Sequence, residues 1–438
     1  MRNDYSKKSP EKEVAGKQMH DLMRRLYPIC RSITGNGLRE TLRILKELIP
    51  LEIREVSTGT SVFDWTIPKE WNVKDAYVKN TGGEKVIDFK KSSLHVLNYS
   101  LPVHEKMSLP QLKEHLFTIP EHPDWIPYRT SYFKERWGFC LSQNQFSAMT
   151  DGEYEVFIDS TFTDGSLSYG EFYVQGECQD EVLFSTHVCH PSMCNDNLSG
   201  VVLCTFLARY LSEVKPYYSY RFLFIPGTIG SITWLSQNES TVGRIKHGLV
   251  VACVGDAGKP TYKKSRHGTS IIDRAVLQML RHSGKEFDVK DFSPYGYDER
   301  QYCSPGFDLP VGSLTRTPHG CFPQYHTSAD NLEFVLPANL GESFGYYTKV
   351  VDILENNRTY ISTNQKCEPQ LGRRGLYNQL GGRPDAEIAE MALLWVLNFS
   401  DGNNSLLDIA ERSAMPFEKI HEAALLLEHH GLLREKHL

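Results

Sequence analysis

The chain lacks the marks of a secreted, membrane-spanning or phosphate-gripping protein. Its 10 cysteines form no CxxC pair and no dense framework, which fits reduced thiols, mostly core residues, better than a disulfide-stapled scaffold. No stretch approaches the run of about 20 apolar residues that crosses a bilayer, so no membrane association is expected. The opening MRNDYSKKSPEKEVAGKQMHDLMRRLYPIC scatters charges where a leader would carry an apolar core, so the expected compartment is cytoplasmic. A basic excess is lacking too. With 48 Lys and Arg against 54 Asp and Glu, net -6, no nucleic-acid partner is expected. There is no internal repeat and no low-complexity tract.

What is present is an ordinary folded composition. Hydrophobic residues make up 40% of 438 positions, with 22 Tyr and 21 Phe, enough at roughly 100–200 residues per domain for two or three domains. Met19, Leu22, Met23, Leu26 and Tyr27 follow helical spacing, and a second helix is expected from Leu38 to Leu48 after the Gly35-Asn36-Gly37 turn. Short β-like runs broken by Gly, Pro and Asn then suggest a small β-rich, lid-like inserted domain over 62–150. From about 153, apolar β runs alternate with helical segments, which argues for an α/β fold with a mainly parallel mixed sheet flanked by helices. The main domain is thus expected over 1–61 and 151–365. The tail, 366–438, has helical segments at Ala386–Asn398, Ser405–Ser413 and Pro416–His430, the pattern of a winged helix-turn-helix.

Chemistry concentrates in EVLFSTHVCHPSMCNDNLSGVVL, 181–203. A buried strand delivers His187 to its carboxyl end, a loop carries His190, and Asp196 opens the next helix, so that His and Asp face one cleft. Imidazole nitrogen and carboxylate oxygen are the ligands of catalytic zinc sites that leave a position open for water. A second cluster, FPQYHTSADNLEFVLP, supplies His326 just before a helix that Asp330 or Asn331 would cap. Cys189 and Cys194 lie in the same loop and are expected as small buried hydrophobes rather than ligands.

These words resemble the co-catalytic zinc aminopeptidase family, in which a strand ends in His, an Asp-Asn/Asp-x-Ser-Gly helix start supplies a metal-bridging Asp, and a late Tyr-His-Thr-x-x-Asp supplies the final His. The match covers about 150–355, and the whole chain looks like a bacterial branch that adds a lid-like β domain and a C-terminal winged helix. The resemblance implies His187 as first ligand, Asp196 as bridging carboxylate and His326 as last ligand. Asp256 would match the late carboxylate ligand at imperfect spacing. Two departures stand out. The family's Glu-Glu pair, base followed by ligand, is replaced at Gly227-Thr228, and its His-x-Asp has become His187-Val188-Cys189. One zinc ion is therefore expected rather than two; His187-x-x-His190 leaves open whether His190 is a substitute ligand or a loop residue held by Pro191.

A metal-activated water still needs a proton acceptor. Asp298 and Glu299, in SPYGYDERQYCSPG where the aminopeptidases carry a Ser-Asp-His word, are the catalytic candidates, Glu299 preferred. Arg300, Arg316 and His319 would bind a substrate carboxylate or an oxyanion. The expected function is zinc-dependent hydrolysis of an amide or peptide bond in a small peptide, an N-acylated sugar or a small amide-bearing metabolite. The alternative is a catalytically altered metal-binding scaffold using the winged helix for assembly or regulation. Its third helix clusters no Arg or Lys, so packing or homo-oligomerisation is expected of it rather than duplex binding.

Overall fold

The computed structural model describes residues 11–376 and 384–436, and the side chains of 384–387 are left aside. The first ten residues of the charged opening stretch and residues 377–383 of the tail lie outside the described residues. The chain divides into two units, one formed by Pro10–Gly268 with Asp288–Gly345, the other by Thr269–Phe287 with Tyr346–Leu438.

The larger unit opens on helices α1 (Lys12–Leu26) and α2 (Asn36–Lys46). Helix α1 buries Ala15, Met19, Leu22, Met23 and Leu26, a stripe at the three- and four-residue spacing of one helical face. Its Gly16 faces Gly341 of the Pro337–Asn356 helix. A Cβ at Gly16 would sit 2.1 Å from the Pro337 carbonyl oxygen, and one at Gly341 would sit 2.1 Å from that of Lys12, so the helices meet backbone to backbone.

The centre is an eight-stranded sheet built from β1 (Glu52–Ser57), β2 (Ser166–Val174), β3 (Glu181–His187), β4 (Ser219–Ile225), β5 (Ile245–Val251), β6 (Thr261–Lys263), β7 (Asp288–Lys290) and β8 (Val311–Thr315). Its spatial order is β1-β2-β4-β3-β5-β8-β6-β7. The middle strands β4, β3, β5 and β8 run parallel, while β1, β2 and β6 join antiparallel. Every residue of β3 is buried, as expected of a central parallel strand covered on both faces. Helices α3 (Ser199–Ser212) and α4 (Ile229–Asn238) follow β3 and β4.

A second, four-stranded antiparallel sheet places Glu153–Thr163 between Glu70–Lys79 and Val103–Ser108, with Lys85–Asp88 at its edge. The Glu153–Thr163 run alternates buried and half-buried positions, the period of a strand covered on one face. From the segment between two of these strands, residues 126–128 reach the His326 loop. Tyr128 N donates to His326 O at 2.7 Å, and Ile126 N donates to Ser328 Oγ at 2.9 Å.

The smaller unit carries helices Pro384–Phe399, Leu406–Ser413 and Phe417–His429 with a three-stranded antiparallel sheet, Asp401–Ser405, Thr359–Ser362, Leu433–Glu435. Ser405 and Asp408 start its middle helix with a reciprocal capping box. The Ile271–Arg281 helix belongs to this unit, and its Arg274 lies 2.6 Å from Asp408 and 2.5 Å from Glu411. Among the described residues no helix is long and apolar enough to cross a membrane.

The glycine crossing sets a first expectation. Gly16→Val forces the two helices apart and should lower unfolding free energy by about 1–3 kcal/mol, the usual cost of overpacking. Urea denaturation followed by circular dichroism measures it, and an unchanged midpoint contradicts the close crossing.

Candidate metal and catalytic site

Strand β3 ends at His187, in register with Ile225 of β4, at the carboxyl end of the parallel strands where α/β sheets open a cleft. The chain then turns through His190 and enters α3 by way of Asp196. That entry depends on Gly200, where a Cβ would lie 2.3 Å from Val251 O and 2.6 Å from Thr186 Oγ1. Only a residue without a side chain lets the helix start seat against β3 and β5. Asn197 pins the same joint, its Nδ2 lying 2.9 Å from Thr186 Oγ1, 3.1 Å from His187 O and 3.2 Å from His187 Nδ1.

Asp196 has no exposed surface and is the hub. His187 Nε2 lies 2.9 Å from its Oδ1. His190 Nδ1 lies 3.2 Å and His326 Nε2 3.0 Å from its Oδ2. The Tyr297 hydroxyl donates to Oδ1 at 3.2 Å. Burial opposes ionisation of Asp196, but His190 beside it, with the neighbouring His187 and His326 rings, outweighs burial and holds the carboxyl well below the ordinary range. Burial also works against a charged His190, and there the Asp196 carboxylate wins and raises the ring. Burial lowers His187 and His326, so both rings offer neutral nitrogens.

The loop bearing Asp196 is held from behind. Asp330 accepts from the backbone N–H groups of Asn195 at 2.5 Å and Asp196 at 2.8 Å, and burial pushes its carboxyl up to about 7. Neither Asp330 nor Asn331 caps a helix, since the next one starts at Pro337. Instead, Asn331 Oδ1 accepts from Glu333 N and Phe334 N. Buried Arg31 donates to His190 O at 2.8 Å. The Tyr128 ring lies 5.2 Å from both His190 and His326 and packs against the cluster.

These residues could hold a metal. The donor atoms of His187, His190 and Asp196 lie within 4.8 Å of one another. Asp196 Oδ2 and His326 Nε2 are both buried and 3.0 Å apart, yet neither has a hydrogen-bond partner. An acceptor and a ring nitrogen left in that state suit a shared cation. Zinc bonds of about 2.0–2.1 Å put tetrahedral donors about 3.3 Å apart, near the 2.9–3.2 Å seen between the imidazoles and Asp196.

The other expected residues fall in different places. Asp256 is buried but accepts from Thr317 N at 3.2 Å and from the Thr317 hydroxyl, where it shapes a turn. Arg316 pairs with Glu342 at 2.9 Å. Asp298 and Glu299, adjacent in sequence, diverge. Glu299 Oε1 lies 2.8 Å from Lys263 Nζ. Asp298 Oδ1 accepts from Ser231 Oγ at 2.7 Å, and its buried Oδ2 has no partner. A Cβ on Gly227 would stand 3.4 Å from that Oδ2 and 3.1 Å from His187 Cβ. The free carboxylate oxygen thus borders the space that a side chain at Gly227 would occupy. Burial pushes Asp298 up to about 7. Cys189 and Cys194 are buried free thiols, and burial holds Cys194 well up.

Four residues contribute in ways the sequence reading missed. Asn197 and Asp330 lie inside the two recognised words, so their spacing marked them, though not their roles. Tyr297 and Tyr128 carry no local signal: each reaches the cluster from a distant loop.

This fold and this site define the class. The eight-stranded arrangement is that of the zinc aminopeptidases: the Bacillus subtilis zinc aminopeptidase superposes with a TM-score of 0.58 at 11% identity over 78% of this chain and 94% of that one. An aminopeptidase from an Aneurinibacillus strain superposes with a TM-score of 0.51 at 12% identity, over 79% and 96%. More particularly, the chain belongs to the family described as domain of unknown function (DUF4910), matched over residues 20–357 and followed by a winged helix-turn-helix at 358–435. A Clostridium acetobutylicum protein, whose name joins polysaccharide biosynthesis to an aminopeptidase-like domain, is 56% identical over 99% of both chains. A crystal structure from that organism at 2.37 Å matches with a TM-score of 0.93, 55% identity and coverage of 97% and 98%.

Because Asp330 orients the hub without touching the cluster's open side, Asp330→Asn should weaken divalent-metal affinity roughly 10–100-fold, as loss of an orienting partner does. Competition against a chromophoric chelator measures this. Unchanged affinity would show that the loop holds its shape unaided.

Proposed function

We propose that this protein is a zinc-dependent hydrolase of amide or peptide bonds that works with one zinc ion and uses Asp298 as its proton acceptor. The observation that carries the reading is the convergence of His187, His190 and His326 on Asp196, beside a buried Asp298 oxygen that has no partner. His187, Asp196 and His326 would hold the metal, with His190 a further nitrogen at the same carboxylate. Bound zinc would polarise the scissile carbonyl and make a water acidic at neutral pH.

The rest is done by the chain. Ser231 fixes Asp298 Oδ1, which leaves Oδ2 facing the space at Gly227. A carboxyl raised to about 7 is a base matched to neutral pH: it takes a proton from water and returns it to the leaving nitrogen. Tyr297, whose hydroxyl burial pushes up, followed by the Asp196 charge, stays protonated and keeps donating to Asp196. Tyr128 and the His326 loop exclude water from the cluster's far side. Glu299, tied to Lys263, is the weaker candidate for the base. The aminopeptidase-like scaffold and the relative's name support amide bonds of peptides or of N-acylated sugars as substrates.

A second reading has one observation in its favour: Gly227-Thr228 removes the family's own base and ligand, which suits a metal-binding scaffold without turnover. Activity against a panel of aminoacyl, peptidyl and N-acyl amides separates the two. In the first, Asp298→Asn keeps zinc and loses about 100-fold or more in kcat; wild type that turns over nothing while binding zinc supports the second.

Metal analysis of purified protein should find about one zinc per chain, lost in the His187→Ala, His326→Ala double variant; retention there would sink the site. Activity should rise with pH as Asp298 ionises, near or below 7 because a bound cation favours the carboxylate. That acidic limb should be absent from the residual rate of Asp298→Asn, and its persistence would assign the titration to another group.

A further inference from the structure

Beside the cluster lies a cavity of about 230 Å³, and Tyr297 forms the wall between them. Its ring stacks on His187 at 4.8 Å and meets the edge of His319 at 5.0 Å. We propose that this cavity is the specificity pocket of the site and takes a small uncharged hydroxyl-bearing group, the size of one sugar ring or one short polar side chain. The proposal rests on the hydrolase reading only for its link to catalysis; recognition by the pocket stands on the lining.

Size decides first. The volume is below the roughly 300–1,000 Å³ of pockets for drug-sized ligands, so it admits one small moiety. Lining decides next. Lys263, Lys290, Tyr295, Tyr297, Glu299 and His319 line the cavity, and no Val, Leu, Ile, Met or Phe is among its lining residues. The rings of Tyr295, Tyr297 and His319 and the stems of the lysines give the cavity flat apolar faces, with polar groups set among them.

Glu299 narrows the chemistry. It is 1% exposed, its Oε1 takes the Lys263 ammonium at 2.8 Å, and its Oε2 has no partner. A buried carboxylate oxygen left without a donor carries its desolvation cost until a ligand supplies one. A cation is not what this pocket selects. Lys263 already balances Glu299, Lys290 adds a positive charge, and burial lowers His319 toward its neutral form. A hydroxyl donates to a carboxylate and accepts from an ammonium without bringing charge of its own. Tyr295, 72% exposed and 5.7 Å from the His319 ring, offers a flat face against which a hydroxylated ring can lie.

The test uses matched pairs that differ in hydroxyls but not in shape: N-acetylglucosamine against N-cyclohexylacetamide, and seryl against alanyl p-nitroanilide. Binding to the zinc-loaded full chain is measured by calorimetry, and turnover separately. The hydroxylated member of at least one pair should bind about tenfold or more tighter. Glu299→Ala and Lys290→Ala should bring the pair within about twofold of each other at unchanged zinc content. If Glu299→Ala does not fold, Lys290→Ala on the exposed rim decides. A preference confined to the sugar pair, or to the seryl pair, identifies the source of the hydroxyls. Equal or tighter binding of the apolar members, a preference that survives both variants, or no binding of any member overturns the proposal. Turnover without preference overturns the pocket and leaves the hydrolase standing; preference without turnover does the reverse.

Discussion

A carboxylate with no exposed surface is stable only where positive charge or hydrogen-bond donors replace the water it has lost. At Asp196 the replacement comes from three imidazoles and a tyrosine hydroxyl, and much of the local architecture follows from that need. His187 must leave the sheet at the end of a buried strand, His326 must be held on its loop by residues 126–128, and Gly200 must let α3 start against the sheet. Asp330 turns the Asp196 loop by gripping its N–H groups. The arrangement also leaves Asp196 Oδ2 and His326 Nε2 facing each other without a hydrogen bond, a pairing that a shared cation would satisfy.

The packing around this hub also positions a second buried carboxylate, Asp298. The turn after β4 carries Gly227-Thr228, where the sequence resemblance leads one to expect two acidic residues. Space is what matters at this joint. Without a side chain at Gly227, Asp298 from a separate loop brings Oδ2 to the border of that space, while Ser231 one turn into α4 fixes its other oxygen. A carboxylate from a different segment thus lies near the same joint, and burial pushes it up to about 7.

Much of this could be read from the sequence because the signals were local. The apolar run of β3 with His187 at its end, the Asp196-Asn197-Leu198-Ser199-Gly200 helix start and the Tyr325-His326-Thr327 word each encode their own geometry, and together they mark the α/β fold and the core of the cluster. The capping Ser405 and the helical spacing of the tail made the winged helix equally plain. What stayed hidden depends on long-range packing. Asp298 and Glu299 are neighbours with identical chemistry, and only the turn of the chain sends one toward His187 and the other toward Lys263. Asp256 stands near a strand end, as a ligand would, but Thr317 from a distant loop captures it. Tyr128 and Tyr297 arrive from segments whose local patterns show only ordinary aromatic residues. The Glu153–Thr163 strand reads as one more member of the large sheet, and only its partners place it in the smaller one.

The most direct test is an anomalous diffraction map of zinc-soaked crystals, recorded on both sides of the zinc absorption edge. The account predicts one peak per chain, within bonding distance of His187, Asp196 and His326, with an ordered water between it and Asp298 Oδ2. Two peaks, a peak bound through Asp256, or an Asp298 carboxylate turned away from Gly227 would contradict it.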